Sequence, residues 1–161
     1  SVESEAIPLD KSNRAACAPS QRWLEASIES YQTMCVETVR SSPKYRNLVL
    51  KAQARGLRVK MIYVLLRSSD LQIKRVQIRV SEGGHDVPIE KIVDRRRRSF
   101  SELAWFVGHV DECYVFDNST GEPELIAARM SRGPLWQFAG LPGDLSAEFE
   151  DANVDIQKAR Q

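Results

Sequence analysis

The spacing of apolar and polar positions along the chain predicts helices and strands in alternation. Residues 1–19 are polar and contain two prolines, and we interpret them as mostly irregular. Over residues 20–32, apolar side chains recur at the spacing of one helix face, which predicts an amphipathic helix. The apolar run 34–36 then predicts a short buried strand that ends at Glu37 and Thr38.

A helix, a strand and a second helix are predicted next. Pro43 at a first helical position and Gly56 at the stop bound the first of these helices. Residues 57–66 begin with alternation and end in a continuous apolar run, which is typical of a strand with both faces covered. A capping-box sequence at 69–72 starts the second helix, which ends at the paired glycines 83–84.

The remaining residues continue the alternation. A helix is predicted from about 88 to 106, either continuous or with a break, and strands are predicted at 113–116 and 125–128. Residues 134–161 are first rich in aromatic residues, Gly and Pro, then acidic and helical, and we interpret them as a C-terminal extension. Helices and strands joined by short links predict an α/β layered domain on a mostly parallel sheet.

Composition and charge narrow the class of protein. The 161 residues suffice for one domain with a core, and a net charge of +1 argues against a nucleic-acid or membrane surface spread over the whole protein. No apolar stretch has the length of a membrane span, and no signal peptide is recognisable. Three cysteines without CxxC spacing argue against a disulfide framework or a metal site and favour the cytoplasm.

The first group of candidate site residues lies where the predicted strands end. Ligands of open α/β sheets bind at the carboxyl ends of the strands. Polar residues follow each of three strands, at 37–38, 67–69 and 117–119. They mark either a site or the ordinary polarity of strand ends that meet water.

Arginines supply the second group of candidates. Arg75 and Arg79 lie one turn apart on a predicted helix face, which suits a phosphate clamp, although relief of their repulsion by Glu82 on a solvated face explains them as well. The run 95–98 points in four directions when wound on a helix, so it forms no stripe for RNA or DNA. Arg96 falls on the buried face, where it borders a polar cleft or extends past the core to water.

Two histidines complete the list. His85 stands in the loop 83–88, whose glycines either bring backbone N–H groups close to a phosphate or form a helix C-cap followed by a turn. His109 has no partner at a useful spacing and is expected to be structural or exposed.

Five segments of the sequence together resemble the zeta-toxin-like family of P-loop kinases. In chain order they are 36–45 (VETVRSSPKY), 63–66 (YVLL), 75–88 (which ends in GGHDVP), 98–100 (RSF) and 116–119 (FDNS). The resemblance covers roughly residues 20 to 128. It implies a three-layer P-loop fold on a parallel five-stranded sheet and an ATP-dependent phosphotransferase that uses Mg²⁺. In the best-known zeta toxins the acceptor is a UDP-linked amino sugar.

The resemblance also assigns an acceptor pocket. Glu37 and Thr38 fall where the family lines that pocket, and Glu37 would orient the acceptor hydroxyl. Glu5 is the nearest equivalent of the family's acceptor-activating aspartate, although it is the wrong carboxylate. Asp117 and Asn118 are expected as further pocket residues.

Phosphate binding is assigned to arginines and one histidine. Arg75 matches an arginine that reaches the ATP phosphates. The lid region of the family carries the other expected phosphate-binding residues, which are Arg79, His85, Arg95 and Arg98. Positive charge and positioning do most of the catalysis in phosphoryl transfer.

One departure from the family pattern is decisive for activity. The sequence contains no GxxxxGK[ST], so the phosphate cradle, its lysine and the Mg²⁺-binding hydroxyl are missing. This chain alone should therefore neither hydrolyse ATP nor transfer phosphate from it, and it should not hold ATP and Mg²⁺ tightly. The corresponding strand would lie between 34–38 and 57–66, and its removal leaves a gap of about 10 Å, or two strand spacings.

Two explanations follow from this departure. The chain is part of a truncated, clipped or split kinase that works with an N-terminal fragment and a small-molecule acceptor. Alternatively, it is a degenerate, non-catalytic member that binds a partner, as in a toxin–antitoxin pair. RNA or DNA binding through the arginine run is a third, weaker hypothesis, and it predicts affinity that falls steeply with salt.

Overall fold

The computed structural model describes residues 21–38, 43–131 and 133–159. The irregular segment 1–19 and Glu5 lie outside these residues. The first helix, α1, covers 21–29, and a single 3₁₀ turn covers Pro43–Tyr45. The other helices and the strands are α2 (Arg46–Ala54), β1 (Lys60–Leu65), α3 (Ser69–Ser81), α4 (Ile89–His109), β2 (Glu112–Asp117), β3 (Glu124–Met130), β4 (Leu135–Gln137), α5 (Gly143–Asp151) and β5 (Ile156–Lys158).

The α/β class is confirmed, but the sheet is mixed rather than parallel. Its strands lie in the order β1-β2-β3-β4-β5. The outer pairs, β1 with β2 and β4 with β5, are parallel, whereas β3 is antiparallel to both of its neighbours. The reason is connection length, because a parallel crossover needs a dozen or more residues and the links on either side of β3 are far shorter. The parallel sheet that the family resemblance implies is therefore wrong for the two pairs that β3 forms.

The expected strand at 34–38 is also wrong, since the structure assigns no strand there. Cys35 and Val36 are exposed, and Val36 keeps 42% of its surface in contact with solvent. Within the described residues, β1 pairs only with β2. The segment 34–38 therefore has no neighbouring strand to supply its backbone hydrogen bonds, and three apolar residues alone do not fix a strand.

Helix α4 holds the core together. It runs for 21 residues without a break, so the continuous helix is the correct alternative. Its apolar face, which includes Phe100, Leu103 and Phe106, packs against buried residues of β1, β2, α2 and α5. Full burial of such side chains contributes about 2 kcal/mol each, so α4 supplies a large part of the stability.

The segment that we interpreted as a C-terminal extension is built into the same sheet and core. It supplies β4, α5 and β5. Leu135 of β4 and Leu145 and Phe149 of α5 are fully buried in the main cluster. The acidic helical end is thus confirmed as α5, whereas the two three-residue strands were too short to give a period in the sequence.

At β1, packing covers only one face of the sheet. Met61 and Leu65 of β1 belong to the main core, whereas the alternate residues Ile62 and Val64 are 66% and 54% exposed. A smaller cluster joins α1 to α2 through Leu24, Ile28, Leu48 and Ala52. Among the described helices, none combines the length and apolar character that crossing a membrane requires.

Candidate functional site

A groove of about 1000 Å³ runs along the side of β1 that is turned away from β2. It is bordered by the segment 34–38, by β1 and the adjoining Leu66, by α3 and α4, and by Val87 of the loop between these two helices. The segment 34–38, which belongs to no helix or strand, forms one wall. The groove thus occupies the position where the sequence predicted a gap in the sheet.

The groove brings together half of the ten site residues that the sequence selected. Glu37 and Thr38 line one wall, and the arginines of the two helices line another: Arg75, Arg79, Arg95 and Arg96. These residues come from three separate segments of sequence, and helix α3 starts directly beyond β1. The side-chain oxygen of Ser68 accepts a hydrogen bond from the Leu71 N–H at 3.3 Å, which caps α3 and fixes where its arginines lie.

Arg75 and Arg79 have different surroundings in the groove. The Arg75 guanidinium donates to the Asn118 carbonyl at 2.6 Å, which orients its side chain and leaves its other N–H groups available. Arg79 is exposed, and within the described residues neither arginine forms an ion pair with Glu82. Relief of charge by Glu82 therefore finds no support in the part of the chain that the structure describes.

The glycines of the loop 83–88 form the C-terminal cap of α3. Gly83 has a φ of +93°, which favours glycine, and its N–H donates to the Val80 carbonyl. A Cβ at Gly84 would lie 2.8 Å from the Arg79 carbonyl oxygen, so this position has no room for a side chain. The C-cap interpretation accounts for both glycines. His85 is exposed and does not line the groove.

Arg96 is part of the scaffold of the groove. It is 4% exposed, and its guanidinium forms two hydrogen bonds to the Asp144 carboxylate. The same group donates to the Leu66 carbonyl at 2.6 Å and to the Arg67 carbonyl at 3.1 Å. Arg96 therefore ties α4 to the end of β1 and to the start of α5. The buried position was predicted, and the partner that it required is Asp144.

The rest of the arginine run faces solvent or the groove. Arg98 donates to Asp94 at 2.5 Å, and Arg97 lies 3.6 Å from the same carboxylate. Arg95 lines the groove and forms no ion pair within the described residues. The four arginines of the run 95–98 thus have different surroundings. Arg95 is the one whose charge is available to a ligand in the groove.

Asp117 lies behind the groove in a cluster of its own. Its carboxylate accepts hydrogen bonds from the Arg67 guanidinium at 2.8 Å and from the Ser119 N–H at 3.0 Å. Burial alone would raise the pKa of Asp117, but the bonds from Ser119 and from Arg67, together with the Arg67 charge, lower it below its ordinary value. Asp117 therefore holds the ends of β1 and β2 together and does not line the groove.

Two buried side-chain oxygens near this edge have no hydrogen-bond partner among the described residues. They are Oδ1 of Asn118 and Oε1 of Gln72. Gln72 also lines the groove. Buried polar atoms without a partner are uncommon, and they are typical of places where a ligand or water completes the contacts. No pattern in the sequence marked Gln72 as a site residue, because a glutamine in a first helical turn is common.

His109 and the remaining acidic groups belong to the scaffold. His109 is exposed and stacks on Trp105 with ring centres 3.9 Å apart, as the structural interpretation expected. Glu102 is 6% exposed and accepts two hydrogen bonds from Arg46, which ties α4 to α2. No group of three or more His, Cys, Asp or Glu side chains that would suit a metal ion occurs in the described residues.

Nucleotide phosphates and Mg²⁺ fit this groove unequally. The arginine side chains of α3 and α4 suit phosphate oxygens, whereas Mg²⁺ prefers carboxylate ligands and the described groove residues include a single carboxylate, Glu37.

Comparisons of the chain with protein families, with curated proteins and with solved structures found no match.

Proposed function

We propose that this chain forms the acceptor and phosphate-binding part of an ATP-dependent phosphotransferase that acts on a phosphorylated small molecule. One observation carries the proposal. Residues that the resemblance assigns to acceptor and phosphate binding come from separate segments and meet in one groove of about 1000 Å³, which is large enough for a nucleotide sugar. They are Glu37, Thr38, Arg75, Arg79 and Arg95.

The chemistry of the groove supports a phosphorylated ligand. Arginine presents paired N–H donors that match phosphate oxygens, and Arg79 and Arg95 have no carboxylate partner among the described residues. Arg75 is held by the Asn118 carbonyl, which reduces the entropy lost when it binds an anion. Glu37 on the facing wall would accept a hydrogen bond from the acceptor hydroxyl and orient it.

Transfer from ATP needs more than these residues. The sequence contains no phosphate-loop lysine motif, so the groove would hold an acceptor and neutralise charge but not position ATP and Mg²⁺. The loop would have to come from residues outside this sequence. We expect the chain alone to bind ATP weakly, and tight binding of ATP would contradict the requirement for a separate loop.

Calorimetric titration with a UDP-linked amino sugar tests the proposal, with uridine as a matched ligand that lacks phosphates. We expect saturable binding of the nucleotide sugar and little binding of uridine. The single variants Arg79→Ala and Arg95→Ala should each weaken binding 10- to 100-fold or more, since each charge-assisted hydrogen bond contributes about 1.5–3 kcal/mol. The control is Arg97→Ala, which lies on the same helix as Arg95 but outside the groove. Equal binding by Arg95→Ala and Arg97→Ala would contradict the proposal.

A non-catalytic binding protein of the toxin–antitoxin kind is the second candidate. The observation that favours it is the exposed outer edge of β1, which offers a surface to another polypeptide. The two functions differ in whether the groove arginines support phosphoryl transfer or only bind a partner. Phosphoryl transfer in a mixture that supplies a phosphate-loop segment, lost in the Arg79→Ala variant, would favour the kinase, whereas absence of transfer in every mixture would favour the binding protein.

A further inference from the structure

The outer edge of β1 carries backbone groups that lack partners in the described part of the chain. The Val59 carbonyl accepts from the N–H groups of Asp111 and Glu112, and the Leu65 carbonyl accepts from Asn118. Because successive residues of a strand face opposite sides, the odd-numbered residues are directed to β2. The N–H and C=O groups of Lys60, Ile62 and Val64 are therefore directed to the groove.

The side chains at this edge are apolar where edge strands are usually protected. Ile62 is 66% exposed and Val64 is 54% exposed. Proteins commonly guard a free edge with central charges, a proline or a bulge, and β1 has a charge only at its first residue, Lys60. On the facing wall Val36 is 42% exposed, so the groove has apolar surface on both sides.

These features specify the chemistry of an occupant. A row of main-chain donors and acceptors at strand spacing is matched by a polypeptide in extended conformation, which adds a strand to the sheet. Its side chains would alternate between the open face, beside Ile62 and Val64, and the helical face. On the helical face they would meet the arginines of α3 and α4, Arg79 and Arg95 among them.

Charge decides between a second copy and a different partner. Pairing of β1 with the β1 of a second copy would bring two sets of groove arginines toward each other, which is unfavourable. A segment with carboxylates on its helical face would instead neutralise Arg79 and Arg95. We propose that the edge of β1 is a docking site for an extended segment of another protein, apolar on one face and acidic on the other.

The docking site does not depend on the phosphotransferase proposal, although both ligands would contact the same arginines. It predicts that the acidic segment and a phosphorylated ligand exclude each other. A partner of this kind would therefore block the groove when it binds.

Short synthetic peptides of alternating valine and glutamate test the docking site on the full chain. We expect saturable binding by fluorescence anisotropy and slower hydrogen exchange at the amides of Ile62 and Val64. A peptide with N-methyl groups on the amides that face β1 keeps every side chain but loses those donors, and its affinity should fall about tenfold or more. Methylation of the opposite edge is the matched control.

Charge reversal provides the second measurement. The double variant Arg79→Glu and Arg95→Glu should prefer a peptide of alternating valine and lysine, whereas the control Arg97→Glu should keep the preference for glutamate. Arg79 and Arg95 are both exposed, so we expect the double variant to keep the fold. Absence of saturable binding, or binding that neither N-methylation nor charge reversal alters, would overturn the proposal. Self-association that Val64→Lys abolishes would also overturn it, in favour of a second copy as the occupant.

Discussion

Arg95 and Arg96 are neighbours on helix α4, and their side chains lie in opposite surroundings. Arg96 is 4% exposed, and its guanidinium contacts the Asp144 carboxylate, two carbonyls just beyond the end of β1 and the ring of Phe100. Arg95 is exposed at the groove and has no ion-pair partner in the described residues. The same side chain is thus a structural tie at one position and an available charge at the next.

This difference extends to the two sides of β1. One edge of β1 is paired with β2, and the face that carries Met61 and Leu65 is buried under α4. The other edge borders the groove and faces no described strand, and the opposite face, with Ile62 and Val64, is exposed. Stability should therefore depend on the first side and ligand binding on the second.

The largest effect that separates the two sides is expected for Arg96→Met. It leaves the carbonyls of Leu66 and Arg67 without their donor and removes the partner of Asp144. We expect a loss of roughly 3 kcal/mol in the free energy of unfolding. Urea denaturation measures it, and Arg95→Met, expected to change stability by less than about 0.5 kcal/mol, is the control. Equal losses in the two variants would show that Arg95 is also structural.

Asp117→Asn should have the next largest effect, of about 2 kcal/mol near neutral pH, because it weakens buried hydrogen bonds to a charged group. The pKa of Asp117 is lowered in the folded protein, so its contribution is present above its unfolded pKa of about 3.9 and is lost as the pH falls through the folded pKa. Denaturation across this range should show the gap between wild type and variant closing only below about pH 4. A gap that closes near neutral pH would contradict this assignment.

Gly84→Ala should cost about 1–2 kcal/mol, since its Cβ would press on the Arg79 carbonyl and on the Arg79 side chain. Because the clash displaces Arg79, nucleotide-sugar affinity should fall as well. Thermal unfolding and calorimetric titration measure the two effects. Gly108→Ala is the matched control, since its added Cβ meets open space. A variant with weakened stability and unchanged affinity would remove Arg79 from the site.

His85→Ala should have the smallest effect. His85 is exposed and does not line the groove, so we expect stability to change by less than about 0.5 kcal/mol and nucleotide-sugar affinity to stay the same. A marked loss of affinity, measured by titration beside the Gly84→Ala variant, would show that the loop 83–88 closes over the ligand.

The sequence predicted the helices and the longer strands because their apolar periods and caps are local. Helix α3 is an example, since its stop at the paired glycines was predicted and its start was predicted from 69–72, one residue beyond the observed cap Ser68. The antiparallel strand β3 was predicted as a strand but not as antiparallel, because direction depends on the length of the links.

Only part of the groove could be predicted from the sequence. The charged groove residues could be selected because their charge is visible in the sequence: Glu37, Arg75, Arg79 and Arg95. The exposed edge of β1 could not, since the run 61–66 reads as a strand covered on both faces, and exposure depends on whether a neighbour exists. The partner of Arg96 was equally invisible, because Asp144 lies 48 residues further along the chain.

Mapping of a UDP-linked amino sugar onto the isotope-labelled chain by NMR tests the central claim most directly, since that claim is that the groove beside β1 is the functional site. We predict that backbone shifts change along 34–38, at β1 and at the arginines of α3 and α4, with none at β5 or the end of α5. Changes centred on the far side of the sheet, or no changes at saturating ligand, would contradict the account.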